Sequence, residues 1–182
     1  MNKADIPKKS ATLNVLIDFY LASEAFKRLR PATQKDYENN LAALRITIVE
    51  GKALGLYRNQ YIKVRHLTEA YEQWLQKGVR TANYHRSVLS AAWRHSMRYD
   101  VMTHNPVKLI KTESSESRRV TWTRDHVKAF LDVAYSDFQY RSIGLIVHMA
   151  YDWGQRVGDM RLLTWDKLDL DQCQLDLKQS KR

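Results

Sequence analysis

Nine consecutive residues, Lys111-Thr112-Glu113-Ser114-Ser115-Glu116-Ser117-Arg118-Arg119, carry no aliphatic or aromatic side chain. Such a stretch has nothing to give a hydrophobic core. It reads as a linker, and any fold must be built on either side of it. Asn105-Pro106, just before it, stops the helical pattern of the preceding residues. The expected division is a helical domain over residues 1–110, a linker over 111–120 and a second domain over 121–182. A chain of 182 residues is long enough for one large or two small domains.

The first part reads as helices. Ser10 is a plausible N-cap, and Leu13, Leu16, Ile17, Tyr20 and Leu21 follow at helical spacing. Lys27, Arg28 and Arg30 suit the C-terminal end of that helix, where the macrodipole favours cations. Pro31 suits the first turn of a second helix, whose stripe is Tyr37, Leu41, Leu44 and Ile48, with Gly51 as its end. Residues 51–67 hold an ordered connection with no assignable element. Thr68 can cap a short helix carrying Tyr71, Trp74 and Leu75, closed by Gly78. Thr81 can cap the longest helix of this part, running to about Tyr99. Its apolar side includes Tyr84, Val88, Ala91, Ala92 and Tyr99.

The second part mixes periods. Thr123 can cap a helix with Val127, Phe130, Leu131 and Ala134 on one side. A helix from about Tyr140 to Trp153 is apolar on most sides, which predicts a buried domain centre. A turn at Gly154 and a short helix near Val157–Leu163 come next. Then Leu168 and Leu170 alternate with polar residues, as do Cys173, Leu175 and Leu177. A period of two predicts two short strands of a half-exposed sheet. The second would leave an open edge, so the chain is expected to be a fragment of a larger fold. The fold class is mainly α, with a small β-hairpin near the C-terminus.

Charge narrows the function classes. The net charge is +10 and the pI about 9.7, in the range of nucleic-acid-binding domains. Residues 1–110 hold 18 Lys and Arg against 9 Asp and Glu, while residues 111–182 hold 12 against 11. The excess lies in the helical part, which is the expected gripping module. On the longest helix Asn83, Arg86, Ser87, Ser90, Arg94 and Arg98 share one polar and basic face. Short polar side chains beside arginines suit hydrogen bonds to base edges and anchors on phosphate.

Other classes find little support. One cysteine, Cys173, allows no internal disulfide and no Cys-rich zinc site. The six histidines show no metal-ligand spacing, and there is no phosphate-binding loop motif or H-E-x-x-H. No secretory leader opens the chain and no apolar run is long enough for a membrane span, so a reducing cytoplasm is expected.

Gly154-Gln155-Arg156-Val157-Gly158-Asp159-Met160 with Leu163-Thr164-Trp165-Asp166 resembles the first signature box of the tyrosine recombinases, the phage-integrase family. Thr33 with Tyr37, Gly78 before Thr81-Ala82-Asn83, Ser87 with Leu89, and Asn105-Pro106 are similar to that family's helical core-binding domain. Arg119-Val120-Thr121-Trp122-Thr123 resembles the start of its catalytic domain. The resemblance spans residues from about 11 to 182. It implies a helical SAM-like core-binding domain followed by the N-terminal part of an α+β catalytic domain. It implies roles at matched positions: Arg156 as the first catalytic arginine on the scissile phosphate, Asp159 as its supporting acid, and Lys181 as general acid toward the leaving 5′ oxygen. It implies strand cleavage through a 3′-phosphotyrosyl bond with no metal or nucleotide cofactor, and as partners duplex DNA and other protomers. Departures are Trp153 before Gly154, Asp159 where Glu is usual, and Arg182 after Lys181. After Lys181 no second arginine box and no tyrosine follows, so DNA binding without cleavage is expected of these residues. His95-Ser96-Met97-Arg98 fits the family's second box, His-x-x-Arg, but precedes Arg156. Its Arg98 is therefore expected to face DNA and its His95 to lie at the helix surface or boundary. Trp153 and Trp165 are expected in the core. The alternative from another class is a stand-alone helical DNA-binding protein or prophage-remnant regulator, and a third is an RNA-binding helical protein.

Overall fold

The computed structural model describes residues 6–114, 121–169, 171–172 and 174–176. The chain divides into two compact units, Met1–Ser117 and Arg118–Arg182.

The first unit is helical. Helix α1 (Leu13–Leu21) buries Leu13, Leu16, Ile17, Phe19 and Tyr20. Its N-cap is Thr12 rather than Ser10, and no side chain caps it. The chain ahead of α1 is instead tied to the 57–59 segment: Leu13 N–H donates to the Tyr57 carbonyl at 2.9 Å and Asn59 N–H to the Ala11 carbonyl at 2.9 Å. That external acceptor does the work a capping side chain would do. The basic Lys27 belongs not to α1 but to a separate short helix, α2 (Glu24–Lys27), because the Ser23 hydroxyl accepts from Phe26 N–H at 3.2 Å and starts a new turn.

Helix α3 (Pro31–Ile46) opens with Pro31 at N1 and buries Leu41 and Leu44. It stops at Ile46, short of Gly51. Ile48 and Gly51 lie instead in a hairpin of β1 (Ile48–Val49) and β2 (Lys52–Ala53), with Ile48 opposite Ala53 and Val49 opposite Lys52. Glu50 (φ 46°) and Gly51 (φ 75°) form its two-residue turn. Two consecutive positive φ values match the right-handed twist of the strands they join. Two turns of 3-10 helix, Leu54–Leu56 and Asn59–Tyr61, complete the connection.

Helix α4 (Val64–Leu75) starts four residues before Thr68, whose hydroxyl donates back to the Val64 carbonyl at 3.0 Å. Gly78 (φ 111°) separates it from α5 (Val79–Met97), so Thr81 lies inside the helix rather than at its cap. The face that α5 buries is Ala82, His85, Val88, Leu89, Ala92, Trp93, His95 and Ser96. A final 3-10 turn, Pro106–Leu109, is capped by Asn105, whose side chain accepts from Val107 N–H at 3.1 Å.

The second unit begins with α6 (Arg124–Ser136). Thr123 is its N-cap, and a reciprocal pair closes the box: Thr123 Oγ1 accepts from His126 N–H at 3.3 Å and His126 Nδ1 accepts from Thr123 N–H at 3.2 Å. Helix α7 (Arg141–Asp152) meets α6 where Gly144 lies against Ala134 and Tyr135. Helix α8 (Val157–Met160) and a 3-10 turn, Trp165–Lys167, lead into β3 (Leu168–Asp169) and β4 (Gln174–Leu175). These pair antiparallel with Leu168 opposite Leu175, so the two leucines share one side.

Helix α7 is not a buried centre. Among the described residues only Gly144 of this helix is buried, and Ile143, Leu145 and Tyr151 are exposed. Trp153 is 41% exposed and Trp165 80%, against the expectation that both are core. A helix that is apolar all round needs protein on every side, and the described residues of this unit, chiefly α6 and α8, cover it only in part. No helix among the described residues is long and apolar enough to cross a membrane.

Candidate nucleic-acid interface and arginine box

At about 100° per residue the six residues singled out on α5 fall in an arc of roughly 120°, opposite the buried face. The structure splits them. Ser87, Arg94 and Arg98 are exposed. Asn83, Arg86 and Ser90 are engaged by the segment that follows the helix. The Asn83 amide nitrogen donates to the Glu113 carbonyl at 2.9 Å, and its oxygen accepts from the Tyr71 hydroxyl at 2.6 Å. Arg86 Nη2 donates to the Lys108 carbonyl at 3.3 Å. Ser90 Oγ accepts from Asn105 Nδ2 at 2.9 Å.

Arg80 joins the exposed set and was missed in the sequence. It is exposed on α5 and precedes Ser87 by seven residues, as Ser87 precedes Arg94. Seven residues make almost two full turns, so the three stack along one strip. The signal was the spacing; the helix start assumed at Thr81 hid it.

His95 is a correction. It is not at the surface but buried, ringed by Phe19 (5.1 Å between centroids), Tyr20 (5.5 Å) and Tyr99 (5.1 Å). Neither ring nitrogen has a hydrogen-bond partner among the described residues. Burial, and then the Arg98 cation, hold its pKa below the ordinary histidine value. His85, against Trp74 at 5.3 Å, is lowered in the same way, by burial first and then Lys77.

In the second unit the arginine box is built by a helix ending. Gly154 has φ 62°, and Gln155 N–H donates to the Ala150 carbonyl at 3.1 Å across it. This is a Schellman-type stop, and the left-handed residue it needs is the glycine. The chain then turns outward through Arg156, which is exposed and serves as N-cap of α8 with extended backbone (φ −70°, ψ 138°). Its carbonyl accepts from Asp159 N–H at 2.9 Å and Met160 N–H at 3.1 Å. Asp159 and Met160 are buried. The box thus presents Arg156 outward and anchors itself one turn later. Further on, a hydrogen bond from the Thr164 side chain, and then the Lys167 cation, hold the Asp166 carboxyl below the usual carboxylate range. Lys181 lies outside the described residues.

No protein-family model matches the chain. It is 26% identical over 173 residues to the integrase of Enterobacteria phage 434, covering 94% of this chain and 46% of that protein. Among solved structures it resembles a lambda integrase tetramer bound to a Holliday junction (TM-score 0.78, 25% identity, 95% of this chain and 49% of that one). It also resembles a lambda integrase dimer bound to a COC′ core site (TM-score 0.76, 24% identity, 98% and 47%). A third is the Tn1549 transposon integrase in complex with circular intermediate DNA (TM-score 0.71, 20% identity, 89% and 52%). The chain spans about half the length of the proteins it matches.

Proposed function

We propose that this chain is a tyrosine recombinase of the phage-integrase type and that these residues hold duplex DNA for site-specific recombination, gripping it with the helical unit and offering Arg156 to a phosphodiester. The observation that carries this is the exposed strip Arg80, Ser87 and Arg94 on α5 with Arg98 at its C-cap, within the part of the chain that holds nearly all the excess positive charge. Cations exposed on one helix face can neutralise backbone phosphates, and each neutralised phosphate releases counterions. The relatives are integrases, which favours this over a stand-alone regulator.

In the intact enzyme, a tyrosine oxygen attacks the phosphorus and the bond to the 5′ oxygen breaks. Negative charge builds on the nonbridging oxygens, and the Arg156 guanidinium offsets it with two charge-assisted hydrogen bonds. Asp159, one turn along, supports the box. Lys181 is assigned the proton that the leaving 5′ oxygen needs. The ester to tyrosine conserves the bond energy for resealing, so the chemistry calls for no metal or nucleotide cofactor. Other protomers bring the second site, and the compartment is the cytoplasm of a bacterial or phage-infected cell.

All ten tyrosines of this chain lie at or before Tyr151, ahead of Arg156. The 182 residues alone therefore bind without cutting. Incubation with a nicked suicide substrate should give no covalent protein–DNA adduct, and an adduct would overturn this. For the binding itself, R80A and R94A should each lower the slope of log affinity against log salt by about one. The measurement is fluorescence anisotropy on duplex DNA at several salt concentrations; unchanged slopes in both variants would remove α5 from the interface.

A further inference from the structure

The three hydrogen-bonded contacts on the polar face of α5 form a pattern. Ser90 pairs with Asn105, Arg86 with Lys108 and Asn83 with Glu113. Positions 83, 86 and 90 follow helical i, i+3, i+7 spacing, and their partners run the opposite way. Residues 105–113 therefore lie antiparallel along the helix as a strap. Between the rungs, Val107 and Ile110 are buried in the core of the first unit. The last rung is a closed ring of three bonds. Tyr71 Oη donates to Asn83 Oδ1 at 2.6 Å and accepts from Glu113 N–H at 2.9 Å, and Asn83 Nδ2 donates to the Glu113 carbonyl at 2.9 Å. Both backbone polar groups of Glu113 are thus satisfied by side chains of α4 and α5. A backbone held at both N–H and C=O has a fixed direction, unlike one held at a single atom.

We infer that Tyr71 and Asn83 are positioning residues: their clasp on Glu113 fixes where the connecting segment leaves the helical unit, and it withdraws Asn83 from base recognition. Only the DNA arm of the test rests on the proposed function. Tyr71 is buried, so it touches nothing outside the protein, and Y71F removes the hydroxyl without changing the core volume.

The experiment uses the full chain as wild type, Y71F, N83A and the double variant. Trypsin cleavage after Lys111, two residues before the clasp, should speed up about tenfold in each single variant. The double variant should be no faster than the singles, since one ring is broken in all three. The thermal midpoint should stay within about 2 °C of wild type, which separates local release from general weakening. In a C173S background, the spread of distances between spin labels at K77C and T112C, both in the first unit, should widen in Y71F. Cleavage and distance spread unchanged in Y71F would overturn the clasp. In the DNA arm, Y71F and N83A should share one base preference with wild type, while R94A lowers the salt slope. If N83A alone altered base preference, Asn83 would be a reader and the inference would fail. If R94A had no effect, the DNA assignment would fail while the cleavage and distance results still decided the clasp.

Discussion

The two units spend similar apolar sequence very differently. The first buries Leu13, Leu16, Ile17, Leu41, Leu44, Leu67, Leu89 and Trp93 completely. In the second, Val127, Ala134 and Met160 are the buried apolar side chains among the described residues, while Leu162 is 76% exposed and Phe138 82%. A stripe of leucines and aromatics becomes core only where a second layer meets it. In the first unit α1, α3, α4 and α5 supply one another's second layer. In the second, α6 meets α7 at Gly144 and Tyr135–His148 and α8 packs against α7, yet Ile143, Leu145 and Tyr151 of α7 stay exposed.

Tryptophan substitutions test that contrast hardest. Trp93→Ala should destabilise the first unit by about 3–5 kcal/mol, whereas Trp165→Ala should fall within about 0.5 kcal/mol. Urea unfolding followed by far-UV circular dichroism measures both; equal losses would erase the distinction. The glycines give a smaller version. A Cβ at Gly55 would collide with the Asn14 carboxamide and sit 2.9 Å from the Arg45 carbonyl oxygen, so Gly55→Ala should cost roughly 1–3 kcal/mol by overpacking. At Gly154 a Cβ meets nothing within 4 Å. Gly154→Ala should cost about 1 kcal/mol through its positive φ alone and show in the hydrogen exchange of α7.

The smallest effect is on pH. His85 and His95 are buried in the first unit with pKa values below the ordinary 6.5. The unfolded chain then binds more protons as pH drops below about 6.5. Their contribution is full above that value and is lost as pH falls toward the folded pKa. Between pH 7 and 5.5 the first unit should therefore lose stability, and H95M, which removes one buried imidazole, should lose less. Urea midpoints at both pH values, with a probe in each unit, check whether the loss is confined to the first.

Much of this was legible in the sequence, where structure is local. The stripe of α1, the Pro31 start, the Thr123 cap, the Gly154 turn and the alternation of β3 and β4 all depend on neighbours in the chain. Residues 51–67 resisted because a tight hairpin and two 3-10 turns have no sustained period. The buried face of α5 was misjudged because it includes polar residues: His85 and His95, packed against rings on α4 and α1, and Ser96, whose hydroxyl donates to the Trp93 carbonyl. The fate of Asn83, Arg86 and Ser90 was unreadable for a related reason. Their partners lie 15 to 30 residues away in the chain, and nothing in a helical wheel shows which side of a polar face another segment will occupy.

The strap along α5 also has a mechanical meaning. Its rungs lie in series along the helix, and the chain leaves from the rung at Glu113. A pull on the connecting segment perpendicular to α5 loads that rung alone and peels the others one after another, at low force. A pull parallel to the helix axis loads all three together and is resisted by their sum. The attachment is therefore stiff along one direction and yielding across it.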